Sequence, residues 1–213
     1  MKLYYLNISP LRYKDIYQSK IFEIDEDRRA RVERIKSTDD KLRCIGAGLL
    51  IQFIKREYNV KERLVVDKFG KPYFENSKVK FNISHSGCFV IAAVSESEIG
   101  VDVQRIEKSQ NRIAEKNFLK SECDYINEVE DENVRKQRFY EIWTVKEAYL
   151  KQKGIGLRKP LNSFQVEINE GNPMVVNEPN LRFVQIKMND RYIIAICTDV
   201  SDKDFDVMEV SFT

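Results

Sequence analysis

The chain has 213 residues, 42% hydrophobic and 33% charged, with a formal net charge of +2. That balance can bury a sizeable core, in one large domain or two small ones, and the near-neutral charge by itself implies no nucleic-acid partner. No apolar run approaches the roughly eighteen residues of a membrane helix, and the opening Met1–Asn7 turns polar too soon for a secretory signal, so no membrane partner and a cytoplasmic location are expected.

In chain order, Met1–Asn7 reads as a first strand. Asp25 predicts the N-cap of a charged helix running to about Lys36, and Asp39 that of a longer one, whose Leu42, Ile45, Leu49 and Phe53 form a buried stripe. Strands follow at Leu64–Val66, Val79–Ile83, Phe89–Val94 and Ile99–Val103, the first two separated by the turn signal Asp67–Pro72. Helices are predicted over 109–128 and 132–152, the second stopped by Gly154. Strands at Phe164–Ile168, Leu181–Met188, Tyr192–Thr198 and Val207–Phe212 close the chain. Helices followed by runs of strands in each half make an α+β protein. With no linker between the halves, any two subdomains, 1–100 and 101–213, are tightly joined. The four cysteines, Cys44, Cys88, Cys123 and Cys197, lack metal or disulfide spacing and are expected as free thiols.

Three segments carry chemistry. Asn82-Ile83-Ser84-His85-Ser86-Gly87, with the only histidine, offers hydroxyls, backbone N–H groups and an imidazole to phosphate oxygens, or is a plain connecting turn. Asp102 interrupts an apolar strand, and alternation puts Gln104 on its face, a partial site for a hard cation or a solvent-facing pair. Trp143–Lys151 places Glu147 one helical turn from Lys151, a metal ligand beside phosphate-binding lysines or a surface ion pair. The basic excess between Arg28 and Arg43 suits a phosphate-bearing ligand or a solvated helix face.

Together, Asn82–Ser86, Gly100–Asp102 and Trp143–Lys151 resemble, in order, the signatures of the Sfp-type 4′-phosphopantetheinyl transferases. Gly70-Lys71-Pro72 and Phe118–Glu122 match further family segments. The resemblance implies a pseudo-twofold pair of α+β subdomains with the active site in the cleft between them. It implies transfer of the phosphopantetheine arm of coenzyme A to a serine of an apo acyl or peptidyl carrier protein, with Mg²⁺, by a monomer. The two-subdomain length is the type that serves secondary-metabolite biosynthesis. By the same resemblance Asp102, Gln104 and Glu147 would hold Mg²⁺, with Gln104 standing where many members carry a second carboxylate on the strand. Lys151 and Lys146 would meet the diphosphate. Lys71, Ser84 and His85 would face the phosphates on the adenosine side, and Arg28, Arg31 and Arg43 the 3′-phosphate region. Glu122 would be the general base, with Glu147 and Lys151 completing the catalytic set. Two other readings stand beside this one: a catalytically inactive coenzyme A- or carrier-binding module, and a nucleic-acid binder using the 28–43 stretch.

Overall fold

Apolar residues at alternate strand positions here build two sheets that share one buried face. The computed structural model describes residues 1–107, 110–199 and 204–212. The first half contains β1 (Lys2–Asn7), α1 (Lys14–Lys20), α2 (Glu26–Arg34), α3 (Thr38–Glu57), β2 (Leu64–Val66), β3 (Pro72–Phe74), β4 (Lys80–Ser86) and β5 (Phe89–Ser95). The second contains β6 (Gly100–Arg105), α4 (Asn111–Asn117), α5 (Lys120–Asn127), α6 (Glu132–Lys153), β7 (Val166–Asn169), β8 (Asn172–Val175), β9 (Leu181–Met188), β10 (Tyr192–Asp199) and β11 (Asp206–Glu209).

One sheet runs β11-β1-β5-β4 and the other β6-β10-β9, with two small hairpins, β2-β3 and β7-β8. Period-two alternation divides the side chains between cores. Tyr4, Leu6, Val90, Ala92 and Val94 pack under α3, while Ile193, Ala195 and Cys197 pack under α6. The opposite faces meet each other: Leu3, Phe89, Ile91 and Ala93 share one cluster with Val101, Val103, Ile194 and Ile196. The two halves are therefore joined through a common apolar core. The last strand ties them again, because β11 crosses back to pair in parallel with β1. The α+β class expected from the sequence is the class observed.

Several boundaries differ from expectation for local reasons. Ser37, not Asp39, caps α3, its hydroxyl accepting from the Asp40 amide at 3.3 Å. Asp39 and Asp40 lie instead in the first turn, where carboxylates favour the positive end of the helix. The predicted 109–128 helix breaks into α4 and α5 at Phe118 and Leu119, both extended; position 109 lies outside the described residues. The Ser84-His85-Ser86 segment is strand, and the turn is Gly87-Cys88. The elements α1, β3 and β8 have no counterpart in the sequence reading.

Candidate active site

The edges of the two sheets meet where β4 runs beside β6. No backbone ladder joins them; side chains do the work of one. The Val101, Val103 and Arg105 amides donate to Asn82 Oδ1 at 2.9 Å, Ser84 Oγ at 3.3 Å and Ser86 Oγ at 3.0 Å. The three acceptors alternate along β4, so one face of that strand caps the orphan N–H groups of β6. The carbonyls along the same edge are taken by lysines: Ile99 O accepts from Lys71 at 3.3 Å and Val101 O from Lys151 at 3.1 Å. Sequence reading missed this role of Asn82 and Ser86, although their period-two spacing was the available signal.

Over the other face of β6 lies α6. Gly100 allows this approach, since a Cβ there would overlap the Ala148 carbonyl oxygen and the Gln152 backbone. Val101 and Val103 turn into the shared core, which leaves Asp102 facing α6. Asp102 is 2% exposed. Its Oδ1 accepts from Lys151 Nζ at 2.6 Å and from the Ser84 hydroxyl at 2.8 Å, and its Oδ2 from the Gln104 amide at 3.0 Å. Lys151 also donates to Ser84 Oγ at 3.0 Å. Glu147 lies one turn before Lys151; burial and the Asp102 charge raise its pKa above the usual carboxylate range, against the pull of Lys151. Ser84, Asp102, Gln104, Glu147 and Lys151 thus converge, from both halves of the chain.

Glu122 and Lys146, expected as general base and diphosphate contact, do not join them. They form a separate ion pair of 2.7 Å at 1% and 0% exposure. Both Glu122 oxygens are engaged, Oε1 by the Val166 amide at 2.7 Å and Oε2 by the Leu119 amide at 2.8 Å. Lys146 donates to the Leu161 and Phe164 carbonyls at 2.8 and 2.7 Å and lies over the Phe164 ring. Neighbours in a helix point about 100° apart, so Lys146 enters the core while Glu147 faces β6.

The remaining cations are distributed. Arg43 donates to the Gly87 carbonyl at 3.4 Å and pairs with Asp40 at 2.7 Å, at the end of β4. His85, on the exposed side of β4, has its pKa held below the ordinary value by desolvation and by the nearby Arg43 and Lys151 cations. Lys71 pairs with Glu98 at 3.1 Å. Arg28 packs along α3 beside Gly48, and with Arg31, Lys55 and Arg63 it lines a pocket of about 360 Å³ that contains none of the Asp102 cluster.

Among the described residues, no three His, Cys, Asp or Glu side chains gather as a metal site. Burial and the Asp102 charge nonetheless make Glu147 costly to ionise, and a hard cation between two carboxylates and an amide would relieve that cost. The donor set fits Mg²⁺ in character. No helix among the described residues is long and apolar enough to cross a membrane.

Residues 98–197 match the model of the 4′-phosphopantetheinyl transferase superfamily. The 4′-phosphopantetheinyl transferase ffp of Bacillus subtilis is 29% identical over 223 residues, spanning 100% of this chain and 98% of its own. The 4′-phosphopantetheinyl transferase Sfp of Bacillus subtilis (strain 168) is 29% identical over 199 residues, spanning 89% and 88%. A solved holo-(acyl-carrier-protein) synthase from Bacillus anthracis, in complex with CoA (3′,5′-ADP), overlays 48% of this chain and 95% of its own, with a TM-score of 0.43 and 18% identity.

Proposed function

We propose that the chain is a member of the 4′-phosphopantetheinyl transferase superfamily and converts apo carrier proteins to their holo form at the Asp102–Lys151 cluster. The serine hydroxyl oxygen of an acyl or peptidyl carrier attacks the β-phosphorus of coenzyme A and gives up its proton to water. The bond to the bridging oxygen breaks, and adenosine 3′,5′-bisphosphate leaves. The observation that carries the site assignment is the convergence of Ser84, Asp102 and Lys151 within 3.0 Å of one another.

Asp102 and Glu147 would hold Mg²⁺, with the Gln104 amide beside them; the ion supplies charge neutralisation at the diphosphate. Lys151 is fixed by Asp102, Ser84 and the Val101 carbonyl, so its charge is oriented in the cleft before any ligand arrives. Arg43 and His85, at the end of β4, line the approach on the side of the first half and suit the nucleotide phosphates. Lys71 reaches the β6 edge and has Glu98 to exchange for a phosphate. Arg28 and Arg31 take part only if the 3′-phosphate extends to their pocket. With one carboxylate fewer on the strand, the site requires more Mg²⁺ than one with Glu at 104.

Because each half supplies part of the cluster, residues 1–100 and 101–213 act as two subdomains of one pseudo-twofold monomer. Carrier proteins of secondary metabolism are the acceptors this reading favours, and free thiols at all four cysteines suit the reducing cytoplasm. The test is anion-exchange detection of adenosine 3′,5′-bisphosphate after mixing the protein, coenzyme A, Mg²⁺ and an apo carrier. Release that needs both Mg²⁺ and carrier supports the reading. Coenzyme A binding without release from any carrier defeats it and leaves a binding module.

A further inference from the structure

The Glu122–Lys146 pair is costly to bury and stands apart from the cluster, so its retention asks for a reason. Its partners supply one. Two side chains engage four backbone groups from three segments: the Leu119 amide at the start of α5, the Leu161 and Phe164 carbonyls, and the Val166 amide at the start of β7. The stretch between Leu161 and Val166 has little regular hydrogen bonding of its own, a three-residue 3-10 turn being its main element. It lies against α6 through this pair and through Phe164, whose ring sits 4.8 Å from that of Tyr149. On the adjoining face of α6, Glu147 and Lys151 meet β6.

We infer that Glu122 and Lys146 are positioning residues: an internal anchor that fixes the rotation and register of α6, and so the placement of Glu147 and Lys151 against Asp102. Neither side chain touches a reacting group. The inference deepens the proposed transferase function and rests on it, although the anchor itself is a property of the fold.

Lys146→Met leaves Glu122 buried without its counter-charge, and Glu122→Gln leaves the ammonium so. Each single variant should lower Tm by about 10 °C. The double variant Glu122→Gln/Lys146→Met should recover part of that loss, because the two effects are coupled. At a temperature where circular dichroism shows each variant folded, the KM for coenzyme A should rise several-fold. The shape of the pH–rate profile should stay as in the wild type, and the double variant should retain transfer within about tenfold.

Additive Tm losses in the double variant would overturn the anchor. So would a folded Glu122→Gln that binds coenzyme A normally yet loses transfer by about 100-fold or more together with the acidic limb of the profile, the mark of a general base. Unchanged KM in every folded variant would reduce the pair to fold stability and defeat the positioning role. If the wild type itself modifies no carrier, the functional reading fails, and the thermal coupling still decides whether the anchor exists.

Discussion

Glu147 is held where ionisation is unfavourable, half-buried and facing the Asp102 charge. A residue placed against stability in this way is one the fold keeps for its chemistry. Glu147→Gln should therefore leave Tm unchanged or slightly higher while transfer falls by about 100-fold or more, measured by melting and turnover on the same preparation. His85 offers a cleaner titration, being the only histidine. Its folded pKa lies below the ordinary 6.5, so between the two values the unfolded chain binds more protons and stability falls as pH drops. Urea midpoints at pH 7.5 and 5.5 should thus differ by more in the wild type than in His85→Gln. Equal differences would mean that the imidazole is not linked to folding. At this scale the pairs Asp102–Gln104 and Glu147–Lys151 were legible from strand and helix periodicity, while their meeting was implied only by the family resemblance. Glu122 and Lys146 were not. A charged residue in a helix looks the same in sequence whether its face meets solvent or core, and only the packing of residues 161–166 over α6 distinguishes them.

Between elements, the site depends on how closely α6 lies on β6. Gly100→Ala forces a methyl into the α6 backbone and should cost about 1–3 kcal/mol, with transfer lost beyond what the lowered stability explains. Asn82→Ala removes the cap on the buried Val101 amide and should cost about 1–3 kcal/mol by denaturant unfolding; a neutral result would mean that water replaces the side chain. The long, strongly patterned elements were readable in sequence: α3, α6, β5 and β9 fall close to where periodicity put them. The failures have physical causes. Asn82–Ser86 looked like a turn because its residues are polar, yet their polarity serves a strand edge that has no backbone partner. The α4–α5 break was hidden because Phe118, extended between them, keeps helical spacing while its ring stacks on Phe139.

Across the whole molecule, each half has a core, one under α3 and one under α6, and the shared cluster around Ile91 and Val101, with the return of β11 to β1, joins the two. Calorimetry should show one transition with matching calorimetric and van't Hoff enthalpies, and two resolved transitions would contradict this coupling. The α+β class was legible from the order of helices and strands. The crossing of β11 was not, since its pairing with β1 joins opposite ends of the sequence. The same junction of halves brings Ser84 to Asp102 and Lys151, and the central claim is that this junction transfers phosphopantetheine. Its most direct test is intact-mass spectrometry of a panel of apo acyl and peptidyl carriers, each incubated with the protein, coenzyme A and Mg²⁺. A gain of one phosphopantetheine on at least one carrier, absent with Glu147→Gln, is the predicted result. No gain on any carrier, or an undiminished gain with the variant, would contradict the account.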